Sequence, residues 1–233
     1  MLDESTYRCI KKEYGFPAYI FDSDRFCENY RLLTEGMGAA YAPYRAAYSY
    51  KTNYTPRIVS LVRSLGGMAE VVSGMEYALA RRVGNAPENI LFNGPCKGED
   101  GIAALLDGAC VIIDNEEELA AVLRTASAHP ECVCHTALRL HVDIGSGKPS
   151  RFGLCAEPEY LKTLAAGNIS FDGIQCHISG SRSIAGWESR ARVMLALARE
   201  LFPEGSPGIR MKLSDGTLGW RVQAPFDRII VTA

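Results

Sequence analysis

From residue 45 to about 201 the chain alternates short apolar runs with longer segments whose apolar residues recur at helical spacing. The short runs fall at 45–50, 69–72, 90–92, 110–113, 137–142 and 173–178. Each ends in a polar or glycine-containing break, the pattern of strands buried on both faces. In the first longer segment Pro56 opens a helix in which Ile58, Val59, Leu61, Val62 and Leu65 keep the helical period, and Gly66-Gly67 stops it. Further helices are expected at 73–82, 99–106, 116–126, 157–165 and 187–201. Ahead of this series, 3–13 reads as a short polar helix and 18–21 as a strand ending at Asp22. A helix near 23–36, capped by Asp22 or Ser23, follows it.

Strands separated by helices imply right-handed βαβ units and a parallel sheet. About six such units point to an α/β fold of the (β/α)8, TIM-like barrel type. The alternative, a doubly wound open sheet, calls for a glycine-rich turn after the first strand. Asp22-Ser23-Asp24-Arg25 stands there instead. In a barrel the chemistry gathers at the C-terminal ends of the strands. Lys51, Ser73, Gly94, Asp114, Asp143 and His177 all fall at or just after expected strand ends.

Lys51 is the most informative of these. It closes the run Tyr48-Ser49-Tyr50 and precedes the break Thr52-Asn53-Tyr54-Thr55-Pro56. A charged amine at the end of a buried strand is costly unless it is paired or chemically consumed. A Schiff base would consume it. The plainer alternative is a lysine that snorkels to the barrel rim.

Composition narrows the choices. The chain has 233 residues, 47% hydrophobic and 22% charged, with a formal net charge of −2. That balance carries no basic excess for nucleic acid or an anionic membrane. No apolar run approaches the roughly 18–20 residues of a membrane span, and Met1-Leu2-Asp3-Glu4-Ser5-Thr6 does not read as a signal peptide. The expected location is the cytoplasm. The cysteines at 9, 27, 96, 110, 132, 134, 155 and 176 are therefore expected as thiols. Cys132-Val133-Cys134-His135 lacks a second ligand cluster at zinc spacing, so no metal is expected.

Several stretches, taken in order, resemble one family. Tyr48-Ser49-Tyr50-Lys51-Thr52-Asn53 is similar to the Tyr-Ala-Xaa-Lys-Ala-Asn segment of the pyridoxal-phosphate-dependent diaminopimelate, ornithine and arginine decarboxylases. The resemblance also takes in 14–22, Glu70-Val71-Val72-Ser73-Gly74-Met75-Glu76 and Phe92-Asn93-Gly94-Pro95-Cys96-Lys97. It continues through Ile113-Asp114-Asn115, Leu138-Arg139-Leu140, Ser150-Arg151-Phe152-Gly153-Leu154 and His177-Ile178-Ser179-Gly180-Ser181.

The resemblance implies a barrel domain over about 1–205 that binds pyridoxal 5'-phosphate and an amino-acid substrate. Lys51 would carry the cofactor as an internal aldimine, and His177 would lie against its ring. Glu70 would shape the charge of the lysine amine. Ser179 and Ser181 occupy the family's phosphate-contacting turn. Arg139 is either a substrate-site residue or a strand-end charge paired with Asp143. A homodimer is possible. A barrel that holds the cofactor without turnover is the alternative function.

After Leu201 the pattern changes. The family's phosphate-cradling glycines, its Glu-Pro-Gly-Arg segment and its C-terminal β-domain are not found. Residues 206–233 form a divergent tail in which 211–220 and 224–233 resemble protein-L-isoaspartate methyltransferases, a third and weaker functional reading. Strands at 209–213 and 228–232 would replace the last two staves, leaving the barrel irregular there. Asp215 and Asp227 are the only acids in this tail, and neither sits in the family's motif for the pyridine nitrogen. An impaired catalyst is expected. With saturating pyridoxal phosphate and meso-diaminopimelate, ornithine, arginine or lysine in turn, carbon dioxide release should stay below about 1 s⁻¹. Faster turnover would mean that the tail supplies a replacement site.

Overall fold

The runs that read as strands pair with one another, and every pairing is parallel. The computed structural model describes residues 3–40, 44–141, 151–155, 168–177 and 184–201. Its strands are β1 (Ala47–Ser49), β2 (Met68–Val71), β3 (Ile90–Phe92), β4 (Cys110–Ile113), β5 (Cys134–Arg139) and β6 (Ile169–Gln175). They form one sheet in the order β1-β2-β3-β4-β5-β6. Each strand lies beside its successor in sequence, so the winding never reverses. That is the progression of barrel staves, and it removes the doubly wound alternative, whose strand order turns back on itself.

The chain divides into two compact units, one up to Leu33 and one from Thr34 on. The first contains α1 (Glu4–Tyr14) and the start of α2 (Ser23–Ala40). Asp3 caps α1, its carboxylate accepting from the Thr6 amide at 2.9 Å. Asp22 caps α2 in the same way, accepting from Arg25 at 2.9 Å. The strand expected at 18–21 is not formed. Tyr19, Ile20 and Phe21 are exposed on irregular backbone. Strand composition is realised only against a neighbouring strand, and this run has none.

In the second unit, α3 (Pro56–Ser64), α4 (Gly74–Arg82), α5 (Gly98–Asp107) and α6 (Glu116–Ala128) join successive strands from β1 to β5, and α7 (Ile184–Leu201) follows β6. The lysine run is shorter than expected, since the chain turns into one 3₁₀ turn at Tyr50–Thr52. β5 and β6 start earlier than the expected 137 and 173. Polar residues hid their first halves. His135 pairs with Asp172 at 3.0 Å, and the Thr136 hydroxyl donates to the Ser170 carbonyl at 3.1 Å, so the two strands satisfy each other's polar groups. The helix expected at 157–165, Asp143, and the tail strands at 209–213 and 228–232 lie outside the described residues.

Period-two alternation sorts the strand residues into two cores. Ala69, Val71, Ile90, Phe92, Val111, Ile113 and Leu138 pack with Val59, Ala80, Leu105, Leu119 and Val122 of the helices. Met68, Leu91, Cys110, Ile112 and Ala137 alternate with them and form a second cluster, on the inner face. No helix among the described residues is long and apolar enough to cross a membrane.

Phe92 is fully buried in the outer core and stacks on Tyr77 with ring centroids 5.8 Å apart. Phe92→Ala should lower the unfolding free energy by about 3–5 kcal/mol in urea denaturation.

Candidate functional site

Along the inner face, apolar residues give way to polar ones at the C-terminal ends of the strands. Parallel register keeps neighbouring residues on one face. Ser49 stands beside Glu70, and Arg139 beside Gln175. Asn93, Asp114 and His177 follow β3, β4 and β6. The apolar inner cluster lies toward the other end of the strands.

Lys51 is in the turn that leaves β1, and its side chain is exposed. Its neighbours fix the turn. Tyr50 is buried, and its phenol oxygen accepts from Asn85 Nδ2 at 3.2 Å. Burial pushes that phenol up to about 12. The Thr52 hydroxyl donates to the Ser49 carbonyl at 2.7 Å, and Asn53 accepts from the Thr55 amide at 3.0 Å. Glu70, on β2, accepts from Asn93 Nδ2 at 3.0 Å. His177 is half-buried two residues beyond β6. Ser179 and Ser181 lie outside the described residues.

Arg139 is paired among the described residues with Asp114; Asp143, its expected partner, lies outside them. Its Nη1 donates to Asp114 Oδ1 at 2.7 Å, with both side chains more than nine-tenths buried. Asp114 is 25 residues away along the chain but directly at the end of the adjoining strand. The Arg139 guanidinium also lies 4.8 Å from the centre of the Phe152 ring. Residues 151–155 are held there by backbone bonds from Leu154 N to Arg139 O and from His141 N to Leu154 O, each 2.8 Å.

A second charged cluster supports the loops around this pair. Lys97 Nζ donates to Glu118 Oε2 and to the Gly94 carbonyl, both at 2.5 Å. Burial pushes the Lys97 ammonium below its ordinary value, against the Glu118 carboxylate, which pulls it up. Glu118 Oε2 also accepts from the Asp114 amide at 2.9 Å. Gly94 is required where it stands. Its φ is +103°, and a Cβ there would meet the Val72 carbonyl at 3.0 Å. Sequence reading did not single out Lys97, Glu118, Ser49 or Gln175. The available signal for Glu118 was Asn115-Glu116-Glu117-Glu118, a helix-capping pattern.

The inner face also carries two unmet hydrogen-bonding atoms. Ser49 Oγ and Gln175 Oε1 are enclosed and have no partner among the described residues. A pocket of about 420 Å³ lined by Arg45, Arg63 and Asn89 lies at the opposite strand ends, away from Lys51. No group of three or more possible metal-ligating side chains occurs among the described residues.

Comparison with known proteins follows the same outline. Residues 29–214 match the family model described as pyridoxal-dependent decarboxylase, pyridoxal binding domain. The chain is 27% identical over 212 residues to the diaminopimelate decarboxylase of Aquifex aeolicus, covering 84% of this chain and 49% of that protein. It is 30% identical over 163 residues to the L-glutamyl-[BtrI acyl-carrier protein] decarboxylase of Niallia circulans, covering 66% and 37%. The solved diaminopimelate decarboxylase of Methanocaldococcus jannaschii, in complex with L-lysine, shares the fold with a TM-score of 0.73 at 24% identity, covering 90% and 56%. The chain spans about half the length of the relatives it matches most fully.

The buried Arg139–Asp114 pair gives a direct test of this framework. Asp114→Ala leaves a guanidinium buried and unpaired, and should lower the unfolding free energy by about 3–5 kcal/mol. Adding Arg139→Met to Asp114→Ala should recover much of that loss, read by urea denaturation of the single and double variants.

Proposed function

This chain belongs to the pyridoxal-dependent decarboxylase family, within its pyridoxal-binding domain, and on that premise we propose that it binds pyridoxal 5'-phosphate and decarboxylates an α-amino acid. The observation that carries the reading is Lys51, an exposed amine at the polar end of the barrel, in the turn directly after β1. The donor set suits the cofactor. An accessible amine can take its aldehyde, and enclosed polar atoms with unmet bonds lie on the same inner face.

In this reading Lys51 holds the cofactor covalently through Nζ, which is nucleophilic only when unprotonated. When bound, the cofactor supplies an electron sink for the pair left on the α-carbon as the carboxylate departs. His177 packs on the ring face rather than on a metal. Glu70, fixed by Asn93, presents a carboxylate on the strand next to the lysine's. Arg139 is committed to Asp114 through one guanidinium nitrogen, and its other N–H groups are donors for an anionic part of the ligand. Ser179 and Ser181 are assigned to the phosphate.

The substrate is proposed only as a class. The relatives named act on diaminopimelate and on a carrier-bound glutamyl group, chemically distinct side chains on a shared amino-acid core. A homodimer, a cytoplasmic setting, and a barrel domain ending near 205 before the tail at 206–233 complete the proposal.

Purified chain mixed with pyridoxal phosphate should develop a visible absorbance band that borohydride removes. Borohydride should also leave one cofactor mass on the peptide containing Lys51. Lys51→Ala should show neither, and carbon dioxide release from any accepted amino acid should vanish with it. A Lys51→Ala protein that keeps the band would overturn the assignment.

A further inference from the structure

Two buried polar atoms on the inner face have no hydrogen-bond partner among the described residues. Gln175 is 2% exposed, yet its Oε1 has no hydrogen-bond partner. Ser49 Oγ is enclosed in the same condition. An unmet buried acceptor costs about 1–3 kcal/mol, so such atoms are scarce in folded proteins. Here the two stand in equivalent places. Ser49 is the last residue of β1 and precedes Lys51 by two; Gln175 is the last residue of β6 and precedes His177 by two. Both face inward, beside Glu70 and Arg139 respectively.

Their neighbours do not supply the missing bonds. The Glu70 carboxylate is taken by Asn93, and Arg139 Nη1 by Asp114. A hydroxyl enclosed and unpaired two residues before the candidate lysine is a loss to the folded protein unless something binds it.

We infer that Ser49 and Gln175 are ligand-binding residues, forming a polar floor beneath Lys51 and His177, and that Gln175 Oε1 accepts a hydrogen bond from an O–H or N–H group of the bound molecule. The inference rests on the proposed pyridoxal-phosphate site. The donor belongs either to the cofactor, whose ring carries a hydroxyl, or to the amino group or side chain of the substrate. Ser49 Oγ can donate or accept and fits either.

A purely structural pair and a ligand-binding pair respond in opposite directions to the same substitutions. Ser49→Ala, Gln175→Leu and Gln175→Met remove the unmet atoms while keeping most of the volume. In the cofactor-free protein each should leave the thermal midpoint unchanged or raise it by a few degrees, about 2–4 °C. Pyridoxal phosphate titrated against visible absorbance should bind about tenfold more weakly to these variants if the cofactor is the donor. If the substrate is the donor, cofactor affinity holds and the dissociation constant of an accepted amino acid rises by a similar factor on the loaded protein. Either loss supports the inference. A lowered midpoint in all three cofactor-free variants would mean that the atoms are satisfied within the protein, and would overturn it. So would variants that bind cofactor and amino acid as well as the parent chain. A parent chain with no absorbance band defeats the cofactor reading itself, and this inference with it.

Discussion

A guanidinium buried at the end of a central strand is tolerable only if something fixes and neutralises it, and in this barrel Asp114 does so for Arg139. Removing either charge would leave the other stranded in a space that water barely reaches. The pair sets the geometry of the whole polar end. Asp114 is positioned by its own amide, which donates to Glu118. Glu118 is positioned by Lys97, and Lys97 grips the carbonyl of Gly94. One connected set of charges therefore ties the ends of β3, β4 and β5 together. Its value lies less in net stability, where buried ion pairs roughly break even, than in holding three loops in one arrangement.

The same device occurs twice. At β2 and at β4 the next helix places a glutamate in its first turn, and the carboxylate reaches back to the amide just beyond the strand. Glu76 accepts from Val72 at 2.7 Å, as Glu118 does from Asp114. The caps Ser73 and Asn115 return the bond by accepting from the amides of Glu76 and Glu118. Each turn thus satisfies amides that would otherwise be orphaned at a helix start. A strand end locked in this way is a rigid place to mount a functional group.

Much of this was legible in the sequence, and the reasons are specific. The strands at 90–92 and 110–113 read correctly because both their faces are buried, which leaves an unbroken apolar run. Lys51 stood out because a charge closing such a run is costly unless it is paired or consumed. The first halves of β5 and β6 were hidden, since His135 and Thr136 find their partners, Asp172 and the Ser170 carbonyl, only across the two strands. The Asp114 partner of Arg139 was out of reach for a related reason, since only parallel register brings a residue 25 positions away beside it. The run at 18–21 failed the other way, having strand composition without a neighbour. Ser49 and Gln175 could not be singled out at all, because an unmet hydrogen bond is a property of surroundings and not of residue type.

Among the described residues two lysines lie at this end of the barrel, and their surroundings distinguish them. Lys97 has the attribute often sought in a reactive amine, a pKa pushed down by burial. Its Nζ is nevertheless engaged and enclosed. The Gly94 carbonyl and the Glu118 carboxylate hold two of its protons, and the side chain is only 2% exposed. An aldehyde has no approach to it, and freeing the amine would break the charge network that orders the loops. Lys51 has the opposite character. It makes no bond to the network, its turn is fixed by the buried Tyr50 beside it, and its amine stands in the open. A lowered pKa is useful to a nucleophile only where the substrate can reach it. A cofactor bound there would itself desolvate the amine, since closing over it removes the water around it. Accessibility before binding and desolvation after it favour Lys51 over Lys97 for the proposed cofactor attachment, and leave Lys97 as a strut that ties the loops together.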